Sequence, residues 1–349
     1  IVLHTHETYM KRCLQLAANG LPAAMPNPSV GAVIVHNDVI IGEGFTSAYG
    51  GNHAEVNAVL SVKDTSLLKD ATIYVSLEPC SHFGKTPPCS DLIIKHKIPK
   101  VVIGTIDPFA KVAGKGIEKL QNAGCEVILN VLKDECIASN KRFFTFHQHK
   151  RPYVILKWAE TQDGFIDKIR QENDPVQPNW ITNTFSRQLV HKWRSEEAAI
   201  LVGTNTAITD NPKLNTRDLH GKNPVRIVLD RSLRIPENYS LFDKTIKTIV
   251  LTEVEKASTE NLIFEQLDFS ENVAQQICDV LYNHELQSVI IEGGKQTLQT
   301  FIDVNLWDEA RVFRGNVLFQ QGIEAPKLTG NSSSEETILD NSLHIFYND

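Results

Sequence analysis

Hydrophobic and polar positions change period repeatedly along this chain, and the changes cut it into short elements. Thr8 to Asn19 reads as an amphipathic helix, stopped by Gly20 and Pro22. Ser29 to Val35 and Val39 to Phe45 read as strands joined by the turn His36-Asn37-Asp38. Asn52 to Val62 is helical, Ala71 to Leu77 a strand, Glu78 to Pro88 a loop, and Cys89 to His96 a helix. Lys100 to Thr105 and Glu126 to Leu129 follow as strands, with helices at Gly116 to Asn122 and Lys133 to Arg142. Strand and helix alternating in this way predict a three-layer α/β sandwich.

The segment Phe146 to Pro152 is polar and ends in proline, so it marks the expected domain boundary. A second pattern then begins, with strands at Tyr153 to Ala159, Ala198 to Val202, Val225 to Asp230, Thr245 to Thr252 and Ser288 to Glu292. Helices are predicted at Asn183 to Arg194, Val273 to Asn283 and Gly294 to Ile302, and Asn331 to Glu336 reads as a polar loop. No internal repeat is visible.

Length fits this division, since 349 residues suggest about two domains. A formal net charge of −7 opposes a nucleic-acid partner, because proteins that grip polyphosphate carry a basic surplus. A single phosphate on a small substrate needs only a local group of cations. No apolar run reaches membrane-spanning length, and the opening residues lack a basic leader followed by an apolar stretch. The expectation is therefore a reducing, cytoplasmic setting. Cys13, Cys125, Cys136 and Cys278 lie among apolar or helical residues and read as packing groups. Cys80 and Cys89 lie in a Pro- and Gly-rich stretch, where ligands are expected instead.

Those two cysteines join a constellation: His53-Ala54-Glu55, then Pro79-Cys80, then Cys89. One imidazole and two thiolates suit zinc, and three protein ligands leave a fourth position for water. Glu55, two residues beyond His53 at a helix start, is placed to move a proton between that water and a departing amine. This is the pattern of zinc-dependent deaminases, although eight residues, Ser81 to Pro88, separate the cysteines instead of two. Two unrelated cysteines or a purely structural zinc site are the alternatives. On the insert, His82 and Lys85 can hold a ribose or its phosphate, or simply be surface charge. Asn27 offers an amide to a pyrimidine edge, or is a plain turn residue.

The run Glu78-Pro79-Cys80-Ser81-His82-Phe83-Gly84-Lys85-Thr86-Pro87-Pro88-Cys89 resembles the deaminase domain of the bifunctional riboflavin-biosynthesis enzymes. Asn27-Pro28-Ser29-Val30-Gly31, Asp107-Pro108 and Val112 to Gly116 match that family too, and the resemblance covers nearly the whole chain. It implies a cytidine-deaminase-like sandwich over residues 1–147 and a dihydrofolate-reductase-like domain over 148–349. It further implies a zinc ion on His53, Cys80 and Cys89, proton transfer by Glu55, and substrate contacts from Asn27, His82, Lys85 and Asp107. The implied substrate is 2,5-diamino-6-ribosylamino-4(3H)-pyrimidinone 5′-phosphate, hydrolysed at its 2-amino group.

The second half carries the rest of the resemblance, in Lys157, Asp163-Gly164, Trp180-Ile181-Thr182, Arg194, Thr206 to Arg217 and Glu292-Gly293-Gly294. NADPH would then reduce the ribosyl group to ribityl. Trp180, Thr206, Asp210, Gly294, Lys295, Gln296, Thr297 and Thr300 would line the cofactor. Arg194, Leu214, Arg217 and Glu292 would line the substrate, the two arginines serving its phosphate. Lys157, Asp210 and Glu292 are the candidate proton donors. Gly293-Gly294 between strand and helix suits a close phosphate approach, and no G-x-G-x-x-G supports a Rossmann domain.

Glu160 and the stretch Asp174 to Asn179 depart from the family, and a carboxylate near the cofactor opposes a nucleotide phosphate. One rival reading is a nucleoside or tRNA deaminase with a non-catalytic second domain; another is a zinc-stabilised binding protein. Glu55 argues against the latter, since a structural zinc needs no neighbouring base. Family members often self-associate, so a homo-oligomer is expected.

Overall fold

The computed structural model describes residues 2–83, 87–109, 113–217 and 220–348, with backbone alone at residues 2–5. The chain divides into two units, residues 1–149 and 150–349.

The first unit runs α1 (Val2–Gly20), β1 (Gly31–His36), β2 (Val39–Phe45), α2 (Ala54–Ser61), β3 (Thr72–Val75), α3 (Cys89–Lys95), β4 (Lys100–Ile103), α4 (Lys115–Asn122), β5 (Glu126–Ile128), α5 (Lys133–Ser139) and α6 (Lys141–His149). Its sheet has the order β2-β1-β3-β4-β5, antiparallel up to β3 and parallel beyond it. Alternating side chains sort the two faces. Ala32 and Ile34 pack with Ala54, Ala58, Ile93, Ile117 and Leu120 of α2, α3 and α4. Val33 and Val35 pack with Met10, Cys13 and Leu16 of α1 and Cys136 of α5. Each large aliphatic side chain buried this way contributes roughly 1.5–3 kcal/mol before conformational entropy is counted. The expected three-layer sandwich is present, and the deaminase motifs fall at the ends of β3, α2 and α3.

Helix α5 does not run through to Arg142. It stops at Asn140, whose side chain accepts from the Ser29 N–H (2.8 Å) and donates to the Ser29 carbonyl (2.7 Å), and a new helix starts beyond it. The polar boundary segment from Phe146 is also helical as far as His149. Phe143, Phe144 and Phe146 bury one side of α6, which outweighs the polar residues on the other.

The second unit runs β6 (Tyr153–Glu160), β7 (Phe165–Asp167), α7 (Thr184–Glu196), β8 (Ala199–Gly203), α8 (Thr204–Asp210), β9 (Val225–Leu229), β10 (Thr248–Thr252), β11 (Leu262–Gln266), α9 (Val273–Asn283), β12 (Ser288–Gly293), α10 (Lys295–Asp303), β13 (Glu309–Arg314), β14 (Ile323–Glu324), β15 (Ser334–Ile338) and β16 (Asn341–Tyr347). Nine strands form one sheet, β11-β10-β9-β8-β12-β6-β13-β16-β15, parallel from β11 to β13 and antiparallel after it. Helices α9 and α10 cover one face, and α7 and α8 the other. This is the dihydrofolate-reductase-like domain. The expected loop at Asn331 to Glu336 is in part the edge strand β15, whose residues are mostly exposed; an edge strand needs no apolar face and so leaves no periodic signal. No described helix is long and apolar enough to cross a membrane.

Candidate functional site

His53 is the N-cap of α2, Cys89 the first residue of α3, and Cys80 lies just past the end of β3. The sheet brings these three points together. His53 Nδ1 lies 3.6 Å from Cys80 Sγ and 3.3 Å from Cys89 Sγ. The three ligand atoms fall within 4.8 Å of one another. A tetrahedral zinc with ordinary Zn–N and Zn–S bonds separates such ligands by about 3.5 Å, so the residues fit the ion. The Cys89 N–H, at the start of α3, donates to Cys80 Sγ (3.2 Å), which favours a thiolate there. The Cys89 thiol donates its proton in a hydrogen bond that carries Cys80 down to about 4, and the same bond raises Cys89. A divalent cation replaces that proton.

Glu55 lies in the first turn of α2, two residues beyond His53, and is buried. Burial, reinforced by the Cys80 charge, pushes its carboxyl up to about 7, so it can take or give a proton near neutrality.

Around this corner the structure sorts the expected substrate residues. Asp107 is half-buried in the loop after β4, and burial raises it to about 6. His82 is exposed on the loop after Cys80, near enough for its charge to act on Asp107. Asn27 sits part-buried in the turn between α1 and β1, its N–H donating to the Ala24 carbonyl; no side-chain contact with the cluster is among the described ones. Lys85 lies outside the described residues.

One residue of this site was not assigned a role from sequence. The buried Glu78 carboxylate accepts from the N–H groups of Asp107 (3.2 Å), Gly114 (3.0 Å) and Gly116 (2.9 Å). It ties the loop bearing Asp107, and the start of α4, to the segment that carries Cys80. A side chain at Gly116 would place its Cβ 2.1 Å from the Pro79 carbonyl oxygen, so glycine is required there. The adjacency of Glu78 to Pro79-Cys80 was the available signal.

In the second unit, the ends of β8 and β12 and the starts of α8 and α10 meet. A Cβ on Gly203 would lie 2.5 Å from Thr297 Oγ1, and one on Gly294 3.1 Å from Thr206 Oγ1. Gly293 has φ +141°, which glycine alone adopts readily. Gly294 caps α10 and leaves the first N–H groups of that helix for a phosphate. Lys295 pairs loosely with Glu324 (3.6 Å) and Gln296 is exposed. Thr300 bonds back to the Gln296 carbonyl within its own helix. Trp180 is exposed, with the Arg187 guanidinium stacked 4.3 Å from its ring centre.

Beside this junction Glu292 occupies a register shift between β12 and β8, a place where strands re-aim side chains. Its carboxylate accepts from Arg194 (2.9 Å) and lies 3.7 Å from Lys157 Nζ. Burial alone would raise Glu292, but the two cations carry it down to about 2. Held between these two cations, Glu292 is placed as their counter-ion. Lys157 is lowered by burial, with Glu292 holding part of that shift back. Arg194 is already paired, and Arg217 is exposed. The Leu214 side chain is buried in the core under α8, so only its backbone is available to a ligand. Glu160, whose charge seemed to oppose a nucleotide, is matched by Arg314 (3.0 Å).

Fold and sites together define a two-domain enzyme, a zinc-dependent deaminase joined to a reductase. The deaminase half matches the cytidine and deoxycytidylate deaminase zinc-binding region over residues 3–105, and the reductase half matches the RibD C-terminal domain over residues 152–342. The chain is 38% identical to the riboflavin biosynthesis protein RibD of Aquifex aeolicus over 95% of this chain and 92% of that one. It is 47% identical to RibD of Actinobacillus pleuropneumoniae over 70% of this chain and 64% of that one. A solved structure from Thermotoga maritima, described as a diaminohydroxyphosphoribosylaminopyrimidine deaminase/5-amino-6-(5-phosphoribosylamino)uracil reductase, superposes with a TM-score of 0.87 at 37% identity, covering 99% of each chain. The chain belongs to the RibD family: it is a bifunctional deaminase and reductase of riboflavin biosynthesis, with zinc and NADPH as its cofactors.

Proposed function

We propose that the first unit hydrolyses the 2-amino group of 2,5-diamino-6-ribosylamino-4(3H)-pyrimidinone 5′-phosphate, and that the second reduces the ribosyl group of the product to ribityl. The observation that carries the reading is the His53–Cys80–Cys89 corner with a buried Glu55 whose carboxyl is raised to about 7. His53, Cys80 and Cys89 hold the zinc, which when bound supplies activation of the attacking water. Glu55 takes the proton of that water and returns it to the amino group, which leaves as ammonia. Asp107, His82, Lys85 and Asn27 orient the pyrimidine and its ribosyl phosphate.

In the second unit Trp180, Thr206, Asp210 and the start of α10, including Lys295, Gln296, Thr297 and Thr300, would hold the nucleotide. NADPH, when bound there, would supply the hydride that reduces C1′ of the ribosyl group. Lys157 is the proton donor, because its ammonium is buried and lowered, while Glu292 keeps it in place and Arg194 and Arg217 face the substrate. The enzyme works in the cytoplasm on a free small molecule and as a homo-oligomer; the net charge of −7 opposes a nucleic-acid partner.

The test is a coupled assay on the diaminopyrimidine ribosyl phosphate, following ammonia and NADPH together. Ammonia first and NADPH oxidation after it is the expected order. Ammonia without NADPH oxidation would remove the reductase half of the proposal. Cys89→Ser is expected to lose most of its zinc on dialysis, read by metal analysis; unchanged stoichiometry would take Cys89 out of the ligand set.

A further inference from the structure

The stretch Asp174 to Asn179, which departs from the family sequence, is tied down chiefly through one side chain, that of Arg170. Arg170 reaches three elements at once. Its Nε meets Asp167 Oδ2 at the end of β7 (3.0 Å), and its Nη2 meets Asp210 Oδ1 at the end of α8 (3.1 Å). Its Nη1 donates to the Gln177 carbonyl (2.8 Å), three residues before Trp180. Asn179 adds a bond to Asp167 Oδ1 (2.6 Å), closing the segment onto the same carboxylate. The guanidinium is mostly buried, at 17% side-chain exposure.

Two carboxylates therefore share one cation. Asp167 and Asp210 repel each other, and the repulsion adds to the burial that raises Asp210. Only the planar fork of an arginine satisfies both acids and a carbonyl together; a lysine offers a single point charge. Because two acids already match its charge, Arg170 is poorly suited to receive a phosphate itself.

We propose that Arg170 is a positioning residue that fixes the nucleotide wall of the reductase crevice, by tying Asp210 and the segment carrying Trp180 to the end of β7. The inference rests on the reading that NADPH lies along Trp180, Thr206 and Asp210. Without Arg170 the two acids part, α8 loses this tether to β7, and the segment before Trp180 keeps only the Asn179 bond to Asp167. The loss falls on nucleotide binding and leaves the chemistry and the deaminase alone.

The experiment uses the full-length zinc enzyme and compares wild type, Arg170→Met and Arg170→Lys. In Arg170→Met, the Kd and KM for NADPH are expected to rise about tenfold or more, with kcat at saturating NADPH within about twofold and ammonia release unchanged. NADH binding, read by fluorescence titration, should weaken by the same factor. Arg170→Lys should fall between the two, and it carries the test by itself if Arg170→Met does not fold. Unchanged nucleotide affinity in either variant overturns the proposal. So does weakening confined to NADPH, which would make Arg170 a direct receptor of the extra phosphate, and so does a fall in kcat with KM unchanged. Wild-type enzyme that neither binds nor oxidises NADPH would instead overturn the reading of the crevice on which the inference rests.

Discussion

Glu55→Gln is expected to keep its zinc and to lose ammonia release by about 10²- to 10⁴-fold, the range that a positioned proton carrier supplies. The carboxamide matches the carboxyl in size, so the buried corner beside His53 and Cys80 stays filled, and the ligand set is untouched. It cannot accept the proton of the attacking water or hand one to the amine. Reductase activity, assayed with the deaminated substrate supplied directly, should be unaffected, because every group assigned to it lies in the other unit. Metal analysis and ammonia release on the same sample decide the matter. Turnover near the wild-type rate with full zinc would sink the proton-carrier role, and loss of zinc together with activity would make Glu55 part of the metal's support.

The second large effect is expected at Glu292. In Glu292→Gln the buried Arg194 keeps its charge and loses its counter-ion, and Lys157 loses the carboxylate that supports its ammonium against burial. Breaking a buried pair on one side costs about 3–5 kcal/mol, so NADPH oxidation should collapse and the second unit should unfold at lower denaturant. Acid adds a signature. The Glu292 carboxyl is carried from an ordinary 4.5 to about 2 in the folded protein. Its contribution is therefore fully present above about pH 4.5 and is lost as pH falls towards 2. Wild-type stability should drop across that window by more than the stability of Glu292→Gln does. Denaturant titrations at pH 7 and pH 3, followed by tryptophan fluorescence, measure both effects. Equal acid sensitivity of the two proteins would show that the carboxylate is not held by its cations.

The deaminase site was legible because its chemistry is written in short runs. His53 and Glu55 start one helix, Cys80 follows a strand, and Cys89 starts the next helix, so each junction carried its own ligand. The long spacing between the cysteines did not obscure the pattern, since the loop returns Cys89 to a helix N-terminus. Elements with one apolar face were also legible, as Val273–Asn283 shows by its helical stripe of Ile277 and Leu281. Asn140 was not, because an asparagine that breaks a helix by bonding to Ser29 looks locally like any other helical asparagine. Nor was β15, whose residues pair on one edge and bury almost nothing.

By itself, then, the sequence determined the layers of the first domain, most of the strands and helices of the second, and the candidates His53, Cys80, Cys89 and Glu55 for a metal corner. Periodicity encodes which face of an element is buried, and zinc chemistry demands particular side chains at element ends. Only the tertiary structure decided how the charges are matched. Arg194 meets Glu292 across 98 residues, and Arg314 meets Glu160 across 154. Arg170 reaches Asp210 across 40. These pairings set Glu292 between two cations and matched the Glu160 charge, which seemed to oppose a nucleotide, with Arg314. A hydrophobic pattern tells a residue which way to face but not which neighbour it meets; strand order and register supply that, and with it each buried group's charge.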